Sequence, residues 1–281
     1  MPERIDESVG ARRSGLPSVV VRSTPRAVIV ALTLTSLLVT ACGESDLVTV
    51  GGVPPVGTEH AFVLVVETVT DTDIAGAEPR AERERVELPV RHTYIGTDDR
   101  GSLVEVRFGG ASAAPLEVVL DPVGRLLAVS DAQAAGLGDV ADLLGPGELF
   151  TPGIGLPAAP VRPGERWEFE DEARLPGVAE PVRLRGWARL DRLEVVDGRD
   201  AARVVTRFSY DLVRQVGEIT LDGTTSSEVV STVDLETGVV LAATTTTTGR
   251  FDVVVSSPAG LRTEGTVGVT AMATLRSTPS E

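Results

Sequence analysis

Lysine is absent from this chain of 281 residues, while cysteine occurs once and histidine twice. With arginine as the sole strongly basic residue, Schiff-base chemistry and the lysine of a phosphate-binding loop are excluded. Cys42 has no second thiol to pair with, so no internal disulfide and no cysteine-rich metal site can form. Any fold must then rest on packing. His60 and His92 show neither an HExxH pattern nor a helical ligand spacing, and they read as surface or strand-end residues with no metal expected. Aromatic side chains make up 4% of the chain, too few for the stacking platforms of a glycosidase cleft. No GxSxG elbow surrounds a serine, and the glycine-rich stretch 145–155 lacks the GxGxxG order. These absences describe a non-enzymatic protein without a cofactor.

Acid is what the chain has in excess. Its formal charge is −15, and since Glu3, Asp6 and Glu7 stand against Arg4, Arg12, Arg13, Arg22 and Arg26 ahead of Cys42, the remainder carries about −17. That field repels phosphates, so no nucleic-acid partner is expected, and anionic membranes would not be gripped through basic patches.

One long apolar run exists, Ala27 to Cys42, and it follows four arginines at positions 12, 13, 22 and 26. It is short for a spanning helix, which needs about 20 apolar residues, and Thr33, Thr35, Ser36 and Thr40 dilute it. The layout is that of a secretory signal. Its end, Val39-Thr40-Ala41-Cys42, resembles the lipobox of bacterial lipoproteins: a branched apolar residue, two small ones and a cysteine. The resemblance implies a diacylglyceryl group on the Cys42 sulfur, cleavage ahead of Cys42, and a mature protein held on the extracytoplasmic face of the cell membrane. Two acyl chains suffice for lasting attachment, since each buried CH₂ contributes about 0.8 kcal/mol.

Residues 1–41 are therefore expected to be a signal peptide and 42–59, with Gly51-Gly52 and Pro54-Pro55, a lipidated cysteine and flexible tether. Residues 60–276 alternate apolar and polar positions in short runs broken by Asp, Gly and Pro, which predicts a single all-β domain of about 10–11 strands in a curved antiparallel sheet. One short helical segment is expected at Asp131 to Leu144, capped by Ser130 or Asp131 and weakened by Gly136 and Gly138. Turns are expected at Asp121 to Gly124, Asp197-Gly198, Asp222-Gly223, Glu236 to Gly238 and Pro258 to Gly260, and residues 277–281 read as a disordered tail.

The proline- and glycine-rich stretch 145–164 denies a sheet its donors, so it reads as a strap joining subregions 60–144 and 165–276. Beyond it, Trp167 and Phe169 share one strand face and Glu168, Glu170 and Glu172 the other. If this strand pairs with the next, the glutamates meet Arg183, Arg185 and Arg189, while the aromatics lie over Gly186 and Ala188. A solvated charge face is the simple reading of that ladder, and an anion site is the sharper one.

Strand number, long C-terminal strands and the lipobox together are similar to the half-barrel of periplasmic lipoprotein carriers and of actinobacterial lipid-binding lipoproteins. Those families carry several helices where this chain offers one candidate. The likeness implies a concave sheet that takes a lipid or other amphipathic molecule, with Phe150, Ile154 and Leu156 of the strap as a lid. The alternative is a structural or protein-interaction module of the envelope whose sheet is filled by its own strap. A pocket of about 300 Å³ or more beneath the strap favours the first, and a filled face the second.

Overall fold

The computed structural model describes residues 47–99, 101–109, 114–129, 153–173, 181–216, 218–256 and 262–278. The lipobox Val39-Thr40-Ala41-Cys42, the helical candidate 131–144, Phe150 and the expected turn at Pro258 to Gly260 lie outside them. All described residues belong to one compact unit, Ser45–Glu281.

Period-two alternation sets the strands. In β1 (Glu59–Ile74) the side chains of Phe62, Leu64, Val66 and Thr68 are buried and those between them are not, as the pleat requires. β2 (Arg80–Thr97), β3 (Ser102–Phe108), β4 (Leu116–Leu120) and β5 (Leu126–Val129) follow as an antiparallel meander. A second meander comprises β6 (Arg166–Ala173), β7 (Val182–Val196), β8 (Arg199–Val216), β9 (Ile219–Asp234), β10 (Val240–Ser256) and β11 (Arg262–Ser277). Pairing of β1 with β11 fuses both into one 11-stranded sheet, ordered β5-β4-β3-β2-β1-β11-β10-β9-β8-β7-β6.

The sheet curls until its edges, β5 and β6, touch without forming a ladder, so the barrel is nearly closed. Slim inward side chains on β9, β10 and β11 permit the curl. Ser227, Ser231, Ala243, Thr245, Thr247, Ala271 and Ala273 are all buried there. Within the run Thr244 to Thr248, the inward Thr247 shares a 2.8 Å hydrogen bond with Ser227, which satisfies two hydroxyls that burial would otherwise penalise.

The β6–β7 register pairs Trp167 with Ala188, Phe169 with Gly186, Glu170 with Arg185 and Glu172 with Arg183, as the alternation predicts. Outside the barrel, Arg183–Glu172 (3.1 Å) and Arg185–Glu170 (3.3 Å) form ion pairs, and Arg166 and Arg207 lie 4.3 and 5.5 Å from the Trp187 ring centroid. These arginines are engaged by neighbours, in keeping with a solvated charge face.

Asp197-Gly198 forms a tight hairpin turn with φ of 51° and 79°, the positive values a primed two-residue turn needs. Asp222-Gly223, by contrast, is not a turn. Both lie inside β9, opposite Asp252 and Phe251, and the glycine is required because a Cβ there would strike the backbone of Arg250 and Phe251.

Candidate functional site

Two segments that are not strands occupy the barrel end where the β7–β8 and β9–β10 turns lie. Residues 47–58, expected as part of a free tether, are packed across it. Val48 pairs with Val161, Gly52 N–H donates to Val123 O at 3.0 Å, Gly57 N–H donates to Tyr94 O at 2.7 Å, and Val50 is 1% exposed. Apolar Val48, Val50 and Val53 explain the departure, for a sequence rich in turn residues still gains by burying three valines.

The described part of the strap, residues 153–164, occupies the same end. Ile154 and Leu156 are buried against the β6–β9 side, Trp167 Nε1–H donates to Gly155 O at 2.8 Å, and Thr206 Oγ1–H donates to Ile154 O at 3.4 Å. The seam beside it is held by charge. Arg125 Nε donates to Asp121 Oδ2 at 2.6 Å while its Nη1 donates to Asp171 Oδ1 at 3.2 Å, so one guanidinium bridges the edges. Asp121 Oδ1 in turn accepts the amides of Val123 and Arg125. Burial raises the Asp171 pKa above the ordinary carboxylate value, opposed by the Arg125 charge and a bond from the Gly155 backbone and reinforced by Asp121.

Beneath these segments the β1–β5 side of the interior is not filled. A cavity of about 90 Å³ remains, walled by Phe62, Leu64, Val90, Val106 and Phe108 with Leu156 of the strap opposite. It is smaller than an engineered cavity of about 150 Å³ that takes a benzene, and far below the ~300 Å³ of an ordinary small-molecule pocket. So the interior matches neither the roomy pocket nor the filled face that the sequence posed as alternatives. Glycines from four segments, Gly52, Gly124, Gly153 and Gly238, line its end in backbone contact. A Cβ on Gly238 would lie 2.5 Å from Gly52 N, and φ there is 74°. Gly238→Ala is accordingly expected to cost about 2 kcal/mol in urea unfolding, from a left-handed backbone plus the displaced strip.

The same cavity corrects the reading of His92 as a surface or strand-end residue, whereas His60 stands at the start of β1, as expected. His60 and His92 are direct cross-strand partners that share the inward parity of Phe62 and Val90. His60 sits edge-on to Tyr94 at 6.2 Å between centroids, and His92 lies 4.8 Å from Phe62. Desolvation, then the charge of His60, pushes the His92 pKa down to about 4. The His60 pKa is lowered too, by desolvation and then Arg199, against an opposing pull from Asp234. Among the described residues no group of three or more His, Cys, Asp or Glu side chains is placed to hold a metal ion.

No protein family matches the chain, and no curated protein does. Among solved structures, a DUF1329 family protein from Desulfovibrio piger is similar at 12% identity and a TM-score of 0.18, over 78% of this chain and 87% of that one. OmpT, an outer membrane protein of Vibrio cholerae, is similar at 8% identity and a TM-score of 0.17, over 80% of this chain and 100% of that one. At such TM-scores neither likeness carries an argument about function.

Proposed function

We propose that this chain is a lipid-anchored, non-enzymatic protein of the extracytoplasmic membrane face, whose β domain binds an apolar or amphipathic molecule inside the barrel. The observation that carries the reading is the unfilled apolar cavity between β1–β5 and the strap. Its side-chain walls are strand residues fixed by ladders, except for Val239 in the β9–β10 connection and Leu156, which comes from an unladdered segment. A longer hydrocarbon therefore gains room by displacing Leu156 and the strap, which the sequence reading cast as a lid with Phe150 and Ile154. The anchor on Cys42 would keep the domain close to its supply of ligand, since the five residues from Cys42 to Leu47 span at most about 18 Å.

Photolabelling tests this directly. Host membranes containing the protein are incubated with a diazirine-bearing alkyl chain, irradiated, and the labelled peptides mapped by mass spectrometry. Label is expected on the stretch 86–108 and on the peptide carrying Leu156, and Val106→Trp, which fills the cavity, is expected to remove it from both. Label confined to outward residues such as Met272, unchanged by Val106→Trp, would overturn the reading and favour an envelope interaction module.

A further inference from the structure

The walls of the cavity are apolar with two exceptions. Among the described residues only His92 and Tyr94 bring polar side chains to it, and they are neighbours on the inward face of β2, two residues apart. Neither side chain has a hydrogen-bond partner among the described residues. Their cross-strand companion His60 also has a buried Nε2 without a partner. When a ligand expels water from the cavity, an imidazole and a phenol left unpaired against hydrocarbon are costly, because each then forfeits its bonds to water. A ligand whose own polar group reaches them removes that cost.

Charge decides which polar group. Among the described residues no arginine lines the cavity, and Arg199 on β8, the cation whose charge acts on neighbouring His60, is held at 3.5 Å by Asp234 at the end of β9. His92 is kept neutral by burial, and burial likewise pushes the Tyr94 pKa up to about 12. The polar end thus offers neutral donors and acceptors and no positive charge. A carboxylate or phosphate entering it would surrender its hydration with nothing to compensate. A hydroxyl, which donates one bond and accepts others, fits a neutral imidazole and a phenol at once.

We propose that the cavity selects the uncharged, hydroxyl-bearing end of an aliphatic or alicyclic alcohol, its oxygen between His92 and Tyr94 and its hydrocarbon running toward Leu64, Val106 and Phe108. This assignment rests on the reading of the cavity as a binding site and adds the chemistry of the ligand. It makes His92 and Tyr94 the residues that set specificity, and the aliphatic walls the source of affinity.

The test uses the full acylated protein in octylglucoside at pH 7, titrated with dodecan-1-ol, dodecanoate or dodecane and read by native mass spectrometry. Dodecan-1-ol is expected to bind about tenfold or more tightly than dodecanoate, the usual scale for one satisfied against one unsatisfied buried hydrogen bond. In His92→Phe and in Tyr94→Phe the alcohol is expected to weaken about tenfold while dodecane is unchanged, which separates lost recognition from lost folding. Equal or tighter binding of dodecanoate, or an alcohol preference that survives both substitutions, overturns the assignment while leaving a binding cavity in place. If none of the three ligands binds, the cavity reading fails and this assignment with it.

Discussion

Arg125→Met is expected to destabilise the domain by about 3 kcal/mol, the low end of the range for breaking a buried ion pair, because the arginine retains some solvent. The seam between β5 and β6 has no ladder, and Arg125 joins it by bonding Asp121 on its own turn and Asp171 across the gap. Methionine preserves the packing of the side-chain stem but strands two carboxylates with little exposure. Urea unfolding followed by the fluorescence of Trp167, which lies on β6, reports the loss. The triple variant Arg125→Met, Asp121→Asn, Asp171→Asn is expected to recover much of it, since removing a whole buried charge cluster costs less than removing one member.

Acid should narrow the deficit. In the folded protein Asp171 already takes a proton more readily than in the unfolded chain, so its share of stability grows as pH falls through its raised pKa. Without Arg125 that pKa rises further, and the deficit of Arg125→Met is largest at neutral pH. A deficit that does not vary between pH 7 and pH 4.5 would contradict this account of the seam.

The second large effect comes from His92 and has the opposite sign. Its folded pKa of about 4 lies below the ordinary 6.5, so the unfolded chain binds the proton more readily. Its contribution is complete above about pH 6.5 and is lost as pH falls toward 4. A difference of that size corresponds to about 3 kcal/mol. His60, lowered for the same chief reason, adds loss in the same direction. His92→Phe is expected to flatten the decline in unfolding free energy between pH 6.5 and pH 4.5, leaving the smaller slope due to His60. An unchanged slope would mean that His92 is solvated and does not face a dry interior.

Local parity explains what could be read in advance. Glu170 opposite Arg185 and Trp167 opposite Ala188 follow from two alternating runs that need only pair. The expected count of about 10–11 strands, against the 11 of the sheet, follows from the turn residues between such runs. The same rule held the clue to the histidines, because His60 precedes Phe62 by two residues and His92 follows Val90 by two, so each shares a buried face. Polarity at a strand end drew the reading outward, whereas the period points inward. Asp222-Gly223 misled for the converse reason: the pair is a turn signal, yet its glycine serves close approach to Arg250 and Phe251 inside a strand.

Other features have no local signature. Nothing in the sequence separation of 46 between Arg125 and Asp171 states that the first and last edges of one sheet will meet. That meeting depends on the summed curl of 11 strands, which slim residues such as Ala271 and Ser231 permit without specifying its extent. The strip 47–58 likewise carries the glycines and prolines of a linker, and its docking is decided by a barrel end that forms only when distant turns assemble. The cavity is a remainder of the same kind, left where Leu156 stops short of β2 and β3.

Native mass spectrometry of the protein extracted from its own host membranes tests the central claim most directly. The expected spectrum is a chain starting at Cys42, heavier by its acyl groups, with an additional uncharged apolar molecule that is retained on gentle activation and ejected on harsher activation. An unacylated chain that carries no such molecule would contradict both the anchor and the binding interior.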